Sequence, residues 1–483
     1  MLQSTASYTT TPPALDDCEI LDAGYVQRRE WTAYKIREDH YPFSTSIHFL
    51  VDSFDPILFQ KTINAIVERH EILRTTLRVI DGSLKQVIHP PKNFIVRFAY
   101  HDISQQDKTD DAKNGFIHSK VEAAIQMPFN FELGPLFRAM VFKKDKDKYA
   151  IYFVLHHVVF DLHSFDIFKE DITQIWKMQC NQFFQPLSKD LAQYRDIARY
   201  ENELLNTQKG EAHERFWQNR LSEGIPRLQI IDEDRWAEHE RRYALLVDEV
   251  RIRMKQLDFC DESTISGVLR KYRAVEGGYM IYRYDENVFR GIKQYTGSGK
   301  NGLLTLLFAS LALTFHELSG QRRFAFDTPG SSRSNTKFRN TIGWLTTGGP
   351  CFVSIPENGG VQSFMDLIDK ELYLLSKHCI YPFETIGSKY PIPLGGSMPV
   401  FFTLINKNEN IPVDKFGILQ GTALGSVAYQ DIAFFFYMFN DAISVSVGYD
   451  NLIFDWPTVE NFMKVHERML GNIIKETLGN QSA

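Results

Sequence analysis

The sequence predicts an α/β protein built from two lobes of similar size. At 483 residues the chain is long enough to bury two hydrophobic cores. In the first half, helical spacing of apolar residues alternates with hairpin patterns. In the second half, three features indicate another mixed lobe. They are a buried helix at 303–315, a Gly/Ser/Thr-rich loop at 328–350, and apolar strands at 399–406 and 432–449.

The elements of the first lobe follow from local patterns. After a loose Ser/Thr/Pro-rich lead-in of about the first dozen residues, residues 54–74 predict a helix that Asp55 caps and Pro56 begins. Asp81-Gly82 marks the turn of a hairpin over 75–89. A helix is expected over 111–127 and a hairpin over 134–157, with the charged run 144–148 as its turn. Apolar residues at helical spacing from Phe168 to Trp176 place another helix close behind Asp161.

Residues 186–275 are strongly charged, and their pattern predicts helices, so we expect a connecting region on the surface. The predicted organisation is therefore an N-terminal lobe at 1–185, this connecting region, and a C-terminal lobe at 276–483.

Composition excludes several classes of protein. The formal net charge is −6, and no Lys/Arg cluster alternates with aromatic residues, which argues against a nucleic-acid-binding protein. The five cysteines form no CxxC pair, which fits a reducing cytoplasm better than a disulfide framework. The N-terminal residues lack the pattern of a signal peptide. The longest nearly apolar run, 303–315, is too short to span a bilayer. We expect a cytoplasmic protein that does not bind membranes.

The stretch LHHVVFDLHS, residues 155–164, lies where a predicted strand gives way to a predicted helix. His156 and His157 are adjacent on that strand and point to opposite faces, and HExxH is missing, so no metal site is expected. A core histidine is one remaining interpretation. The other is a general base with Asp161 as its structural or orienting partner, because a helix N-terminus disfavours protonation of a nearby imidazole. No GxSxG elbow is present, which favours direct transfer without a covalent intermediate.

Several segments, in order along the chain, resemble motifs of the condensation domains of nonribosomal peptide synthetases, within the chloramphenicol-acetyltransferase-like acyltransferase superfamily. The motif HHxxxDG is matched at 156–162, with Leu162 in place of the glycine. Further matches are HExLRT at 70–75, a GPLxR-like segment at 129–138, YxDxAxW at 193–201, a strand and loop at 318–333, IGxFxN at 340–350 and a closing motif at 444–462. The resemblance implies two chloramphenicol-acetyltransferase-like lobes, each a mixed sheet with helices, that form a V with the active site between them.

Carried over to this chain, the resemblance makes His157 the catalytic residue, facing a tunnel between the lobes. His156 is then structural. Asp161 is expected to form a buried ion pair with Arg74 beneath the motif. Ser164 is expected to help cap the following helix.

Further candidates for the tunnel are Leu162, His163, Ser164, Gly343, Trp344 and Thr347. Leu162 has three interpretations: a packing variant, a residue that narrows the acceptor path, or the mark of an inactive site. Thr347 replaces the asparagine of the IGxFxN loop, and Trp344 provides its first aromatic residue. His163 is expected at the surface, with a hydrogen-bonding role at the tunnel as the alternative.

The implied activity is condensation of a carrier-protein-bound acyl thioester with an amine or hydroxyl acceptor, in nonribosomal peptide or polyketide-type biosynthesis. No cofactor is bound permanently, since phosphopantetheine arrives on an acyl or peptidyl carrier protein. The expected protein is a free-standing, monomeric condensation domain. A catalytically inactive domain that binds carriers or partners is the first alternative, and a metal-dependent hydrolase is a remote one.

Overall fold

The computed structural model describes residues 15, 17–37, 43–105, 109–225, 230, 233–265, 268–269, 275–297, 301–382, 385–386, 400–406, 427–428, 430–440 and 442–479. The predicted lead-in of about the first dozen residues lies outside these ranges. Strands of the described residues form one three-stranded, one four-stranded and one seven-stranded sheet. None of the described helices is long and apolar enough to cross a membrane.

The N-terminal lobe carries the two smaller sheets. Its elements are β1 (Glu19–Asp22), α1 (Tyr25–Ile36), β2 (Ser44–Val51), α2 (Pro56–Arg69), β3 (Thr75–Ile80), β4 (Ser83–Ile88), β5 (Phe98–Asp102), α3 (Asp110–Gln126), β6 (Phe137–Asp145), β7 (Lys148–His156) and α4 (Leu162–Gln179). The four-stranded sheet has the order β2-β7-β6-β5, and the three-stranded sheet has the order β1-β4-β3. Helices α2 and α4 pack against each other.

Local sequence signals explain why these elements begin and turn where they do. The Asp55 carboxylate accepts hydrogen bonds from the backbone N–H groups of Ile57 and Leu58, which confirms it as the cap of α2. The hairpin of β3 and β4 turns through Asp81 and Gly82, both with positive φ, as a two-residue type I′ turn requires. The predicted hairpin over 134–157 is formed by β6 and β7.

The connecting region lies only partly at the surface, because its helices also bury apolar residues in the cores. It contains α5 (Tyr194–Leu204), α6 (Gln208–Leu221) and α7 (Glu233–Met254). Tyr194 on α5 packs into the N-terminal core, whereas Trp217 on α6 packs into the C-terminal core. Even the charged α7 buries Val250 and Met254 against α1. The apolar residues of α7 lie among charged ones in the sequence, and its charged face is exposed.

The C-terminal lobe is built on the seven-stranded sheet. Its elements are β8 (Val275–Arg283), α8 (Glu286–Gly297), α9 (Leu303–Ser319), β9 (Arg323–Ser331), β10 (Thr346–Ser354), α10 (Val361–His378), β11 (Val400–Asn406), β12 (Val427–Ala428), β13 (Ile432–Met438), β14 (Ile443–Asp450) and α11 (Trp456–Gly479). The strand order is β10-β9-β11-β13-β14-β8-β12, and β11 is parallel to both of its neighbours. The predicted loop at 328–350 is wrong at both ends, because β9 and β10 pair antiparallel there.

Residues 332–345, between β9 and β10, leave the C-terminal lobe and enter the other one. Phe338, Ile342 and Leu345 are buried in the hydrophobic core of the N-terminal lobe. We call residues 332–347 the crossing loop; its last two residues begin β10. This loop brings the second half of the chain onto the strand-to-helix junction at 155–164.

Candidate functional site

The two histidines of the junction lie at the end of β7. His156 is the last residue of the strand, opposite Ser44 on β2, and its backbone N–H donates to the Leu136 carbonyl. His157 begins a short 3-10 turn, and its backbone N–H donates to the carbonyl of Phe43 at 2.8 Å. The change from strand to turn sends the two imidazoles into different surroundings.

The imidazole of His156 is buried in the N-terminal lobe. Its Nδ1 accepts a hydrogen bond from the backbone N–H of Val158 at 3.0 Å. The ring meets Phe131 edge to face, with centroids 4.8 Å apart. Through these contacts His156 stabilises the short turn that follows β7.

The imidazole of His157 is half-buried, and its tautomer follows from one contact. Nδ1 lies 3.0 Å from the carbonyl oxygen of Phe160. Because a carbonyl oxygen only accepts hydrogen bonds, Nδ1 carries the proton when the ring is neutral. The lone pair of the neutral ring is therefore on Nε2, the ring nitrogen opposite this bond.

Aromatic rings from both lobes surround His157. The Phe43 ring centroid lies 4.3 Å from that of His157, and the Trp344 centroid lies 5.1 Å from it. Phe43 and Trp344 stack on each other at 5.3 Å. The guanidinium of Arg29 lies 4.8 Å from the Trp344 ring centroid. His157 thus sits in an apolar wall, which limits how a substrate can approach it.

Asp161 is fully buried and binds the crossing loop. Its carboxylate receives two hydrogen bonds from Arg333, at 2.6 and 2.9 Å. It also accepts from the backbone N–H of Leu345 at 3.0 Å and from the Thr346 hydroxyl at 3.2 Å. Burial alone would raise the pKa of this carboxyl group. The Arg333 charge and the hydrogen bonds from Arg333 and Ser164 outweigh burial, so the pKa lies below its usual range.

The predicted ion pair of Asp161 with Arg74 is wrong. Arg74 lies 3.7 Å from Glu71 and donates to the carbonyl of His89 at 2.6 Å, within the β3–β4 region. Arg333 takes the expected place because the crossing loop delivers it to the buried carboxylate. A bidentate guanidinium is the strong form of such a pair.

Asp161 is the cap of α4, and Ser164, which was expected to help cap the helix, donates its hydroxyl to the Asp161 carboxylate at 2.7 Å. The Asp161 carboxylate accepts the backbone N–H of Ser164 at 2.9 Å. The hydroxyl of Ser164 is buried and accepts the backbone N–H of Gly343 at 3.1 Å. Ser164 therefore joins the junction to the crossing loop.

Gly343 has a conformation and a neighbour that both require glycine. Its φ is +150°, and a Cβ built there would lie 2.2 Å from Cδ2 of Tyr194. The Tyr194 side chain is itself buried, so it cannot easily give way.

The remaining predicted residues lie around this centre. Leu162 is the first residue of α4, has no positive φ and is 41% exposed. His163 is exposed, as expected, and hydrogen-bonds to the backbone of Arg339. Thr347 lies on β10 opposite Gly330.

Sequence reasoning missed Arg333, Phe43 and Arg29. Arg333 ends the 318–333 segment that resembles the family, so a signal for it was present although its partner was not deduced. Phe43 and Arg29 lie in no motif, and only the fold brings them to His157 and Trp344.

The described residues contain no group of three or more His, Cys, Asp or Glu side chains that could hold a metal ion. The site offers an imidazole with its lone pair on Nε2, an apolar wall, and a buried charged network that fixes both.

Comparison with known proteins identifies the family. The family model for the condensation domain matches residues 22–483. Chondramide synthase cmdD of Chondromyces crocatus is 23% identical over 80% of this chain, and malpibaldin synthetase of Mortierella alpina is 22% identical over 95% of it. The chain spans only 9% and 8% of the lengths of these two proteins.

Solved structures agree on the fold. The condensation domain from the monacolin K polyketide synthase MokA superposes with a TM-score of 0.69 at 14% identity, covering 94% of this chain and 97% of that domain. A structure describing condensation domain-mediated chain release from the enacyloxin polyketide synthase gives a TM-score of 0.70 at 12% identity, covering 96% of this chain and 84% of that one. At these identities the likeness shows the fold alone. It confirms the predicted α/β fold of two chloramphenicol-acetyltransferase-like lobes, and the chain belongs to the condensation domain family.

Proposed function

We propose that this protein transfers an acyl group from the phosphopantetheine thioester of a carrier protein to an amine or hydroxyl acceptor, in nonribosomal peptide or polyketide-type biosynthesis. The observation that carries the proposal is the hydrogen bond from Nδ1 of His157 to the Phe160 carbonyl. It places the lone pair of the neutral, half-buried imidazole on Nε2, at a position where both lobes contribute residues.

In this reaction the acceptor nitrogen or oxygen attacks the thioester carbonyl carbon. The new C–N or C–O bond forms, the C–S bond breaks, and the acceptor proton passes by way of Nε2 of His157 to the departing thiolate. Atoms and charge balance without a covalent enzyme intermediate. Base assistance of this kind typically contributes about 10² to 10⁴ in rate. Alignment of the two substrates makes the attack effectively unimolecular.

Asp161 acts in this scheme as a positioning residue. Its carboxylate is engaged by Arg333, Leu345 and Thr346 rather than by the His157 ring. Its lowered pKa keeps it ionised at neutral pH, so the ion pair holds the crossing loop against the junction. The pair fixes the position of His157 and Trp344 without taking a proton.

The names of the relatives support this class of reaction. They include a chondramide synthase and a malpibaldin synthetase, as well as a condensation domain that mediates chain release. No permanently bound cofactor is required, because the thioester arrives on the carrier.

The test is intact-protein mass spectrometry of an acyl-loaded carrier mixed with a panel of amines and alcohols. We expect the wild type to unload the carrier with product formation, and His157→Ala to be slower by about 10² or more. His118→Ala is the matched control, since His118 is exposed on α3 and lies outside the junction segment 155–164. Equal rates for wild type and His157→Ala would contradict the role of His157.

The same assay separates catalysis from the binding-only alternative. Leu162→Gly restores the glycine of the motif. Turnover by this variant, with none by the wild type, would mean that Leu162 closes the site and that the natural role is to bind carriers. Because Leu162 begins α4 and has no positive φ, this position does not require glycine, and we expect the wild type to be active without this change.

A further inference from the structure

A group of exposed cations lies on the crossing loop and on three helices next to it, with members from both halves of the chain. Its members, which we call the basic patch, are Arg199 on α5, Lys209 on α6, Lys337 and Arg339 on the crossing loop, and Lys377 on α10. The chain as a whole carries a net charge of −6, so the patch differs in sign from the rest of the molecule.

Two aromatic rings join the members of the patch. Lys209 Nζ donates to the Tyr200 hydroxyl at 3.1 Å. The ring of Tyr200 meets that of Phe338 edge to face, with centroids 5.6 Å apart. The ammonium of Lys337 lies 5.6 Å from the Phe338 ring centroid. Lys209 and Lys337 are therefore held on one continuous surface.

The charges of the patch are largely uncompensated. Within the part of the chain that the structure describes, no carboxylate forms an ion pair with Lys209, Lys337, Arg339 or Lys377. Arg199 has Asp196 at 3.8 Å. Burial and the charges of Lys209 and Lys377 together lower the pKa of the neighbouring His213, as expected in a positive potential. Such a surface attracts an anionic partner.

The patch adjoins the candidate active site on two sides. On one side, the backbone of Arg339 hydrogen-bonds to His163, the second residue of α4. On the other side, Lys377 is two residues from Cys379. Cys379 packs so closely on Gly330 that a Cβ there would lie 2.4 Å from its Sγ. Gly330 pairs with Thr347, the last residue of the crossing loop.

We propose that the basic patch is a docking surface for the carrier protein that delivers the acyl thioester. The inference rests on the proposed function and adds the place of docking. The phosphodiester of the phosphopantetheine arm is anionic by its chemistry, and an acidic face of the carrier would complement the same cations. Patch residues flank the loop that presents Trp344 to His157, so a carrier held there is next to the reaction centre.

Complementary charge of this kind acts mainly on association rate and specificity. Its range is set by salt, with a Debye length of about 8 Å at physiological ionic strength. Docking through the patch should therefore weaken as salt is added. A small donor without a carrier should be insensitive to both salt and patch charge.

The test compares two triple variants. The first is Lys209→Glu, Lys337→Glu, Lys377→Glu. The matched control is Lys61→Glu, Lys120→Glu, Lys475→Glu, which makes the same change in net charge at exposed helix positions outside the patch. Each protein is assayed with an octanoyl-loaded, net negative peptidyl carrier domain and with octanoyl-pantetheine, which lacks carrier and phosphate. Binding of the holo carrier, labelled with fluorescein, is measured by anisotropy.

We expect the patch variant to lose about tenfold or more in kcat/KM for the carrier substrate and in carrier affinity, with octanoyl-pantetheine turnover unchanged. The control variant should match the wild type with both donors. Equal carrier binding by the patch variant and the wild type would overturn the inference, as would no carrier binding by the wild type. Turnover of neither donor by a wild type that binds the carrier through the patch would instead contradict the proposed function.

Discussion

The two halves of the candidate site, the junction at 155–164 and the crossing loop at 332–347, are built and held in place differently. The junction at 155–164 is continuous in the chain, and its strand, turn and helix follow from local patterns. The crossing loop at 332–347 supplies Arg333 and Trp344 from the other lobe. Its burial in the N-terminal core cannot be predicted from the spacing of its apolar residues. The junction provides the imidazole, whereas the crossing loop provides the countercharge and part of the wall around it.

This difference shows where the site is vulnerable. The junction is supported by backbone hydrogen bonds of its own sheet and by the Asp161 cap of α4. The crossing loop is held by a buried ion pair, the hydrogen bond from the Gly343 backbone N–H to the Ser164 hydroxyl, and three apolar side chains. Substitutions in the loop should therefore cost more stability than substitutions at the exposed start of α4.

Arg333→Leu should have the largest effect. It leaves the Asp161 carboxylate buried without its countercharge, and breaking a buried pair on one side costs about 3–5 kcal/mol. The measurement is urea denaturation followed by circular dichroism. Arg74→Leu is the matched control, because Arg74 is engaged by Glu71 and the His89 carbonyl rather than by Asp161. A larger loss for Arg74→Leu than for Arg333→Leu would contradict the assigned pairing.

The pH dependence of unfolding tests the same pair. In the wild type the folded-state pKa of Asp161 is depressed, so its contribution to stability is full above its unfolded pKa and is lost as pH falls through the folded pKa. In Arg333→Leu, burial without a countercharge raises the pKa of Asp161. Protonation of Asp161 at acidic pH therefore removes part of the destabilisation of this variant. The stability difference between the two proteins should narrow as pH falls from about 6 to about 4. A constant difference would mean that Asp161 does not carry the effect.

Gly343→Ala should be the next most damaging change. The new Cβ would meet the buried ring of Tyr194, and its φ of +150° is strained for alanine. Overpacking of a core typically costs about 1–3 kcal/mol, and we expect a loss of that size in urea denaturation. The control is Gly115→Ala on α3, where a Cβ meets nothing within 4 Å and alanine should be neutral or stabilising. Equal free energies of unfolding for the two variants would show that the Tyr194 ring moves aside at little cost.

Prediction from sequence succeeded where one segment determines its own structure. The Asp55 cap, the Asp81-Gly82 turn and the helix behind Asp161 depend on neighbours a few residues away. The partner of Asp161 could not be obtained this way, because Arg333 is 172 residues distant and reaches it only through the fold. Burial of Trp217 was missed for a related reason, since the charges of the connecting region concealed its apolar faces.

Leu162→Gly should have the smallest effect on stability. Leu162 is the first residue of α4 and is 41% exposed, so removal of its side chain loses little buried apolar surface. Glycine costs up to about 1 kcal/mol in a helix interior, and less is expected at this first position, measured again by urea denaturation. The acceptor preference of this variant then decides whether the junction also contributes to specificity. An unchanged ranking of amines and alcohols in the carrier assay would make Leu162 a packing variant at the surface of the junction. A ranking that shifts towards bulkier acceptors, at nearly constant stability, would place Leu162 on the acceptor path, and the junction would then contribute to specificity as well as the imidazole.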